Sequence, residues 1–152
     1  MSKPAIPLFS TTLQKTKIWL EEIAETTGSN ERQAWTIIGA GLRAIRDRLR
    51  IELAAHLGAQ LPLLVRGAYY DRFRPGELPK PYKTLNEFLD EIANGLSDGV
   101  DCDERDAAIS VFGVLTRHLT PELVNKVRHA LPEEIRERWP ETMPLGHPIK
   151  SI

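Results

Sequence analysis

Four polar residues that close one apolar stretch have the types and spacing to bind an anion. Arg66 precedes Tyr69 and Tyr70 by three and four residues, and Asp71 follows directly. Residues at these separations share one face of a helix, and a guanidinium beside phenols can hold a carboxylate or phosphate through paired hydrogen bonds. The structural alternative is that Arg66 binds carbonyl oxygens at a helix end while the tyrosines seal a seam between helices.

Other residues that could carry chemistry lack the partners that chemistry needs. His56 lies one helical turn after Glu52, but the sequence has no HExxH motif and no third metal ligand nearby. Cys102, the only cysteine, lies between Asp101 and Asp103, whose charges would raise the pKa of its thiol. No GxSxG motif is present. We therefore predict no catalytic residue, no metal and no cofactor. The candidate ligand or interface residues are Arg66, Tyr69, Tyr70, His56 and Asp71.

The composition is that of a globular protein and narrows the classes of partner. The 152 residues are 41% hydrophobic and 27% charged, with a formal net charge of −1. This charge gives no general attraction for nucleic acid. No segment has the length of a membrane span, and residues 1–7 have no apolar run typical of a signal peptide. We expect a cytoplasmic protein without nucleic-acid or membrane partners.

The elements that would position these residues are predicted to be about eight helices and no strand, because apolar residues recur at helical spacing. Thr11 and Gln14 have the spacing of a capping box, which predicts the start of the first helix, with Leu13 on its buried face. Pro62 interrupts the central apolar stretch, so two short helices are expected, at 51–60 and 62–72.

The predicted second helix, which follows a cap formed by Asn30 and Gln33, has two contrasting faces. Gly39 and Gly41 lie in or beside its apolar stripe, which favours close approach by a neighbouring helix. The opposite side carries a row of arginines. These arginines are Arg43, Arg46 and Arg50. Such a row is typical of a solvated face, and the alternative is a docking patch for an acidic partner.

The second half of the chain repeats features of the first at a separation of about 70 residues. The matched positions are Leu61 with Leu131, Pro62 with Pro132, Arg66 with Arg136 and Tyr69 with Trp139. Each half is too small to bury its apolar stripes alone, which predicts an all-α fold of duplicated four-helix units around one shared core, related by a pseudo-twofold. The equivalent set in the second half favours the structural interpretation of Arg66 and the tyrosines.

The domain organisation follows from this repeat. We predict an N-terminal arm at 1–10, one helical domain at 11–139 and a C-terminal tail at 140–152. Within the domain, the repeats 11–72 and 84–139 are joined by a proline-rich connector at 73–83.

Three motifs also carry a family resemblance. They are Ile45-Arg46-Asp47-Arg48-Leu49, the stretch HLGAQLPLLVRGAYY at 56–70, and Leu131-Pro132-Glu133-Glu134-Ile135-Arg136. On these motifs the chain resembles domain-of-unknown-function family 2267, a family of bacterial helical proteins, from about Leu13 to Trp139. The resemblance implies an all-helical duplicated domain in a bacterial cytoplasm, among stress-response neighbours. It brings no assigned activity and no catalytic residues.

Two functions from different classes are therefore expected. The first is a non-catalytic protein-interaction or adaptor domain, with a protein partner or a second copy of itself. The alternative is a small-molecule-binding protein with an anionic ligand near Arg66, Tyr69 and Tyr70. No reaction is nominated for an enzyme.

Overall fold

A computed structural model describes residues 6–96 and 99–139, and these residues form eight α-helices and no strand. The helices are α1 (Pro7–Thr27), α2 (Glu31–Arg46), α3 (Ile51–Ala59), α4 (Leu63–Tyr70), α5 (Leu85–Leu96), α6 (Glu104–His118), α7 (Pro121–Ala130) and α8 (Glu133–Arg136). One turn of 3-10 helix lies at Pro75–Glu77. The predicted all-α class is confirmed, as is the division of the central stretch into two short helices. The predicted tail at 140–152 lies outside the described residues.

The first helix begins earlier than predicted. Pro7 occupies the first turn of α1, where a proline has no backbone N–H to leave unpaired, so Thr11 lies inside the helix and caps nothing. Residues 7–10 of the predicted arm are therefore helical, and residues 1–5 lie outside the described part of the chain. The helix ends at Gly28 with a φ of 73°, a left-handed conformation that glycine adopts without steric cost.

The buried face of α1 is also rotated from the predicted one. Leu13 is 56% exposed, whereas Thr12, the residue before it, is buried. The reason lies at the start of α4, where the Leu64 N–H donates to the Thr12 hydroxyl oxygen over 3.4 Å. Thr12 therefore faces α4, and Leu13 lies at the surface.

Helix α2 is the centre of the fold and contacts α1, α4, α5 and α6. Its start is the predicted capping box, in which the Gln33 N–H donates to Asn30 Oδ1 over 2.8 Å and the Asn30 N–H to Gln33 Oε1 over 3.0 Å. A Cβ added at Gly41 would lie 2.6 Å from Cγ2 of Val111 on α6. The predicted close approach of a neighbouring helix is therefore confirmed at Gly41.

The connector between α4 and α5 is bound to the C-terminal end of α2. Tyr82 is buried, and its hydroxyl donates to the Ala44 carbonyl oxygen. The Lys80 N–H donates to the Asp47 carbonyl oxygen over 2.7 Å, and Arg48 Nε donates to the Tyr82 carbonyl oxygen over 2.8 Å. These bonds bring the basic residues of the connector beside α2.

Helices α1 and α6 are joined by ion pairs around one carboxylate. Glu22 accepts from Arg117 Nε over 2.8 Å and lies 2.8 Å from His118 Nε2, while the His118 ring stacks on Trp19. Burial alone would raise the pKa of Glu22, but the hydrogen bonds with His118 and Arg117 outweigh it and hold this pKa below its usual value.

Substitution of Gly41 tests the closeness of α2 and α6. Gly41→Ala should destabilise the fold by about 1–3 kcal/mol, because the new methyl group overlaps Val111. The matched control is Gly67→Ala in α4, where a Cβ meets nothing within 4 Å, and it should stabilise the helix by up to about 1 kcal/mol. Urea unfolding of both variants measures the difference, and equal stability of the two would contradict the close approach.

Glu22 makes the stability of the fold depend on pH. Because its pKa is lowered on folding, its contribution is present above the unfolded-state value of about 4.3 and is lost as the pH falls through the lower folded-state value. At pH 7, Glu22→Gln should be about 1 kcal/mol less stable than the wild type, and this gap should close in strong acid. Urea unfolding from pH 7 to 3 measures it, with exposed Glu21→Gln as control. A gap that stays constant with pH would refute the assignment.

Candidate functional site

Arg66 binds backbone carbonyl groups at the C-terminal end of the preceding helix, α3. Its Nη2 donates to the carbonyl oxygens of Leu61 over 3.1 Å and Ala59 over 3.2 Å, so it pairs groups that a helix end leaves unbonded. Arg136 repeats this arrangement, with Nη2 donating to the Leu131 carbonyl oxygen over 3.2 Å. These contacts agree with the structural interpretation of Arg66, in which it binds carbonyl oxygens at a helix end.

The two tyrosines fill a seam between α3 and α4. Tyr69 is buried, and its hydroxyl donates to the Ala54 carbonyl oxygen over 2.6 Å. Burial raises the pKa of Tyr69 far above its usual value, so the hydroxyl stays protonated. Tyr70 packs edge-on against Tyr69 and Phe73 at centroid distances of 5.0 and 5.3 Å, and its hydroxyl covers Gly58. This seam is occupied by protein side chains.

The remaining two candidate residues face elsewhere. Asp71 is exposed, and its carbonyl oxygen accepts a hydrogen bond from Arg46 over 2.8 Å. His56 is exposed and lines an open groove of about 620 Å³ between α3 and α7, which we call the His56 groove. The charged residues of this groove are Arg48, Arg50, Glu52 and Lys126. The five candidates therefore do not form one site.

The sequence did not predict that Arg46 is buried and binds backbone carbonyl oxygens. It is only 2% exposed, so the predicted solvated face is wrong at this position. Its Nη1 donates to the carbonyl oxygens of Tyr69 over 2.6 Å and Asp71 over 2.8 Å, and its Nε and Nη2 each lie 2.8 Å from Asp47 Oδ1. The guanidinium also lies 5.3 Å from the ring centroid of Phe73. A charge is tolerated there because each donor nitrogen has an oxygen partner.

The other two arginines of the predicted row have different surroundings. Arg50 is exposed, as predicted, but its predicted place on α2 is wrong, because α2 ends at Arg46 and Arg50 is the N-cap residue of α3. Arg43 is half-buried, and its Nη1 donates to the Ala68 carbonyl oxygen over 3.0 Å. Burial lowers the pKa of Arg43 below its usual range, and the charge of Asp71 partly opposes that change.

Beside Arg43 and Arg46 lies a polar cavity of about 310 Å³, which we call the connector cleft. Its lining includes the small residues Ala40 and Ala44 of α2 and Gly95 of α5. Its charged lining residues are Arg43, Arg46, Asp47, Arg72, Arg74, Glu77, Lys80 and Glu91. None of the five candidate site residues lines this cavity, although Arg46 joins it to Asp71.

Within residues 6–96 and 99–139, no group of three or more His, Cys, Asp or Glu side chains is placed to hold a metal ion. Burial raises the pKa of the Cys102 thiol, and the charges of Asp106 and Asp103 raise it further, which disfavours a reactive thiolate. No helix in this part of the chain is both long and apolar enough to cross a bilayer.

The fold and these contacts define a small all-helical domain in which buried polar side chains join helix ends. The chain belongs to the DUF2267 family, described as an uncharacterized conserved protein, because the model of that family matches residues 16–138. The family resemblance drawn from the three sequence motifs is thereby confirmed. A comparison with curated proteins finds no match.

Removal of the buried guanidinium tests its structural role. Arg46→Met should destabilise the fold by about 3–5 kcal/mol, because the carbonyl oxygens of Tyr69 and Asp71 lose their donor and buried Asp47 loses one of its cations. The matched control is exposed Arg50→Ala on the same predicted row, which should change stability by less than about 0.5 kcal/mol. Urea unfolding measures both, and a loss below about 1 kcal/mol for Arg46→Met would contradict this role.

Proposed function

We propose that this protein is a non-catalytic protein-interaction domain that associates with a second copy of itself. The observation that carries the proposal is an exposed apolar surface at the starts of α1 and α4. The residues of this α1–α4 apolar surface are Leu8, Phe9, Leu13, Leu63 and Leu64, all between 41% and 56% exposed. Contiguous apolar surface is the usual mark of a protein interface.

These side chains come from two helices that lie against each other. Phe9 and Leu13 are four residues apart on α1 and so share a face of the helix. The bond from the Leu64 N–H to the Thr12 hydroxyl brings the start of α4 beside them. The exposed leucines at the start of α4 therefore lie on the neighbouring helix beside the start of α1.

The charge pattern favours a second copy as the occupant. Residues 6–14 contain no charged side chain, so this part of the surface gives no attraction for an oppositely charged partner. An uncharged apolar patch is complementary to itself, and most homodimers pair the same patch across a twofold axis. Two α1 helices packed across such an axis would remove these side chains from water.

We also propose that the domain arose by duplication, with α1 to α4 related to α5 to α8 by a pseudo-twofold. Most helix contacts have a counterpart under this exchange: α1 packs on α6 as α5 packs on α2, and α1 touches α4 as α5 touches α8. The matched helices α2 and α6 contact each other, as do α3 and α7. The Arg66 and Arg136 bonds to matched leucine carbonyls support the same exchange.

The setting that we propose is a bacterial cytoplasm among stress-response proteins, and it rests on the family resemblance alone.

The second candidate function is binding of an anionic ligand at Arg66, Tyr69 and Tyr70. The contacts give it less support, because a ligand there would have to displace Arg66 from the Ala59 and Leu61 carbonyl oxygens. The packing of Tyr70 on Gly58 also argues against an empty pocket between these three side chains.

Self-association is tested by the mass of the protein in solution. Analytical ultracentrifugation of the full chain at up to about 100 μM should show a dimer, since a micromolar Kd populates it at that concentration. The double variant Phe9→Glu, Leu13→Glu should be monomeric, because a dimer would bury four unpaired carboxylates.

The matched control is Ile109→Glu, at a position 45% exposed on α6 and outside the α1–α4 apolar surface, which should leave the dimer intact. A monomeric wild type would contradict the proposal. Monomers from Ile109→Glu, with dimers from the double variant, would place the interface on α6 instead.

A further inference from the structure

We propose that the connector cleft binds a small anion with two or more negative charges, of the phosphate or polycarboxylate class. Five cationic side chains and three carboxylates line it, so the cleft has an excess of two positive charges in a chain whose net charge is −1. Its volume of about 310 Å³ suits a ligand a few times larger than a single phosphate. The site is separate from the α1–α4 apolar surface and does not depend on self-association.

Most of the charges in the cleft are already paired. Arg46 binds Asp47, and Lys80 lies 3.6 Å from Asp47 and 3.5 Å from Glu91. Arg74 forms an ion pair with Glu77 of the connector over 3.5 Å. These pairs account for all three carboxylates of the lining.

Two guanidinium groups then carry the excess charge. Among the described residues, no carboxylate lies within ion-pair distance of Arg43 or Arg72. The hydrogen bond from Arg43 to the Ala68 carbonyl oxygen uses Nη1, so Nη2 keeps its two N–H donors for a ligand. An anion between the two arginines could accept paired hydrogen bonds from planar guanidinium groups, the geometry that phosphates and carboxylates favour.

Arg43 lines the cleft together with the small residues Ala40, Ala44 and Gly95. Its Nη2 is 3.9 Å from the position that a Cβ would take on Gly95, and its Nη1 is 2.8 Å from that on Gly39. A side chain at Gly39 would overlap the guanidinium, whereas a side chain at Gly95 would first meet Ala40 of α2. Burial disfavours the charge of Arg43, and an anion beside it would offset that cost.

Arg72 is held over the cleft by an uncommon backbone conformation. Its φ is 58°, a left-handed value that residues with a β-carbon adopt only at a steric cost. The conformation is fixed by its neighbours, since the Asp71 carbonyl oxygen is bound to Arg46 and the Phe73 N–H donates to the Tyr70 carbonyl oxygen over 3.1 Å. A glycine at 72 would take this conformation without strain, yet an arginine is present.

Isothermal titration of the full chain with inorganic pyrophosphate, and separately with citrate, tests the site at physiological ionic strength. We expect binding of at least one of the two, and the comparison assigns the ligand to the phosphate or the polycarboxylate class. Arg72→Gly removes the charge and suits the left-handed backbone, so it should fold and weaken binding at least about tenfold.

Arg43→Gln provides a second variant, which removes the positive charge but keeps a polar side chain in place of the one that binds Ala68, and it should weaken binding to a similar extent. Arg50→Ala in the His56 groove is the matched control and should bind as the wild type does. Backbone amide shifts on adding pyrophosphate or citrate should centre on Arg43 and Arg72.

Three outcomes would overturn the proposal. They are the absence of binding heat for both anions up to about 10 mM, unchanged affinity in Arg72→Gly and Arg43→Gln, and amide shifts confined to the His56 groove. Because monomers and dimers present the same cleft, none of these outcomes bears on self-association.

Discussion

The structure depends on one buried cation. Arg46 joins the end of α2 to the end of α4 through the carbonyl oxygens of Tyr69 and Asp71, and it neutralises Asp47 beside it. Asp47 in turn holds the connector, because its carbonyl oxygen accepts from the Lys80 N–H. A helix end leaves carbonyl groups unbonded, and a buried guanidinium has five N–H donors to offer them. One side chain thus sets the positions of two helices and the segment between the halves.

The need to pair carbonyl groups at helix ends also explains why the candidate residues from the sequence do not form one site. Arg66 and Arg136 each bond a leucine carbonyl at a helix end, and the aromatic residues three positions later, Tyr69 and Trp139, are both buried. Tyr69 donates to a backbone carbonyl, whereas Trp139 donates to the Thr116 hydroxyl and stacks on a phenylalanine. These side chains hold the corner of each half together. The excess positive charge lies instead where the connector crosses α2 and α5.

Local sequence rules predicted much of the fold and less of the candidate sites. The Asn30 capping box and the break at Pro62 depend on neighbouring residues alone, and both occur as predicted. The predicted start of α1 at Thr11 was wrong, because the helix begins at Pro7, ahead of the stronger cap signal. The connector cleft could not be predicted, since its charges come from segments up to about 50 residues apart.

The row of arginines shows most clearly what sequence and tertiary structure each decide. By itself, the sequence determined that α2 would be a helix with an apolar stripe and that Arg43 and Arg46 would lie off that stripe. Only the tertiary structure decided that Arg46 is buried, that Arg43 is half-buried and that Arg50 lies beyond the end of α2. Helical spacing depends on backbone geometry within a few residues. Burial depends on which distant carbonyl oxygens arrive beside a side chain, and those of Tyr69 and Asp71 lie more than twenty residues away along the chain.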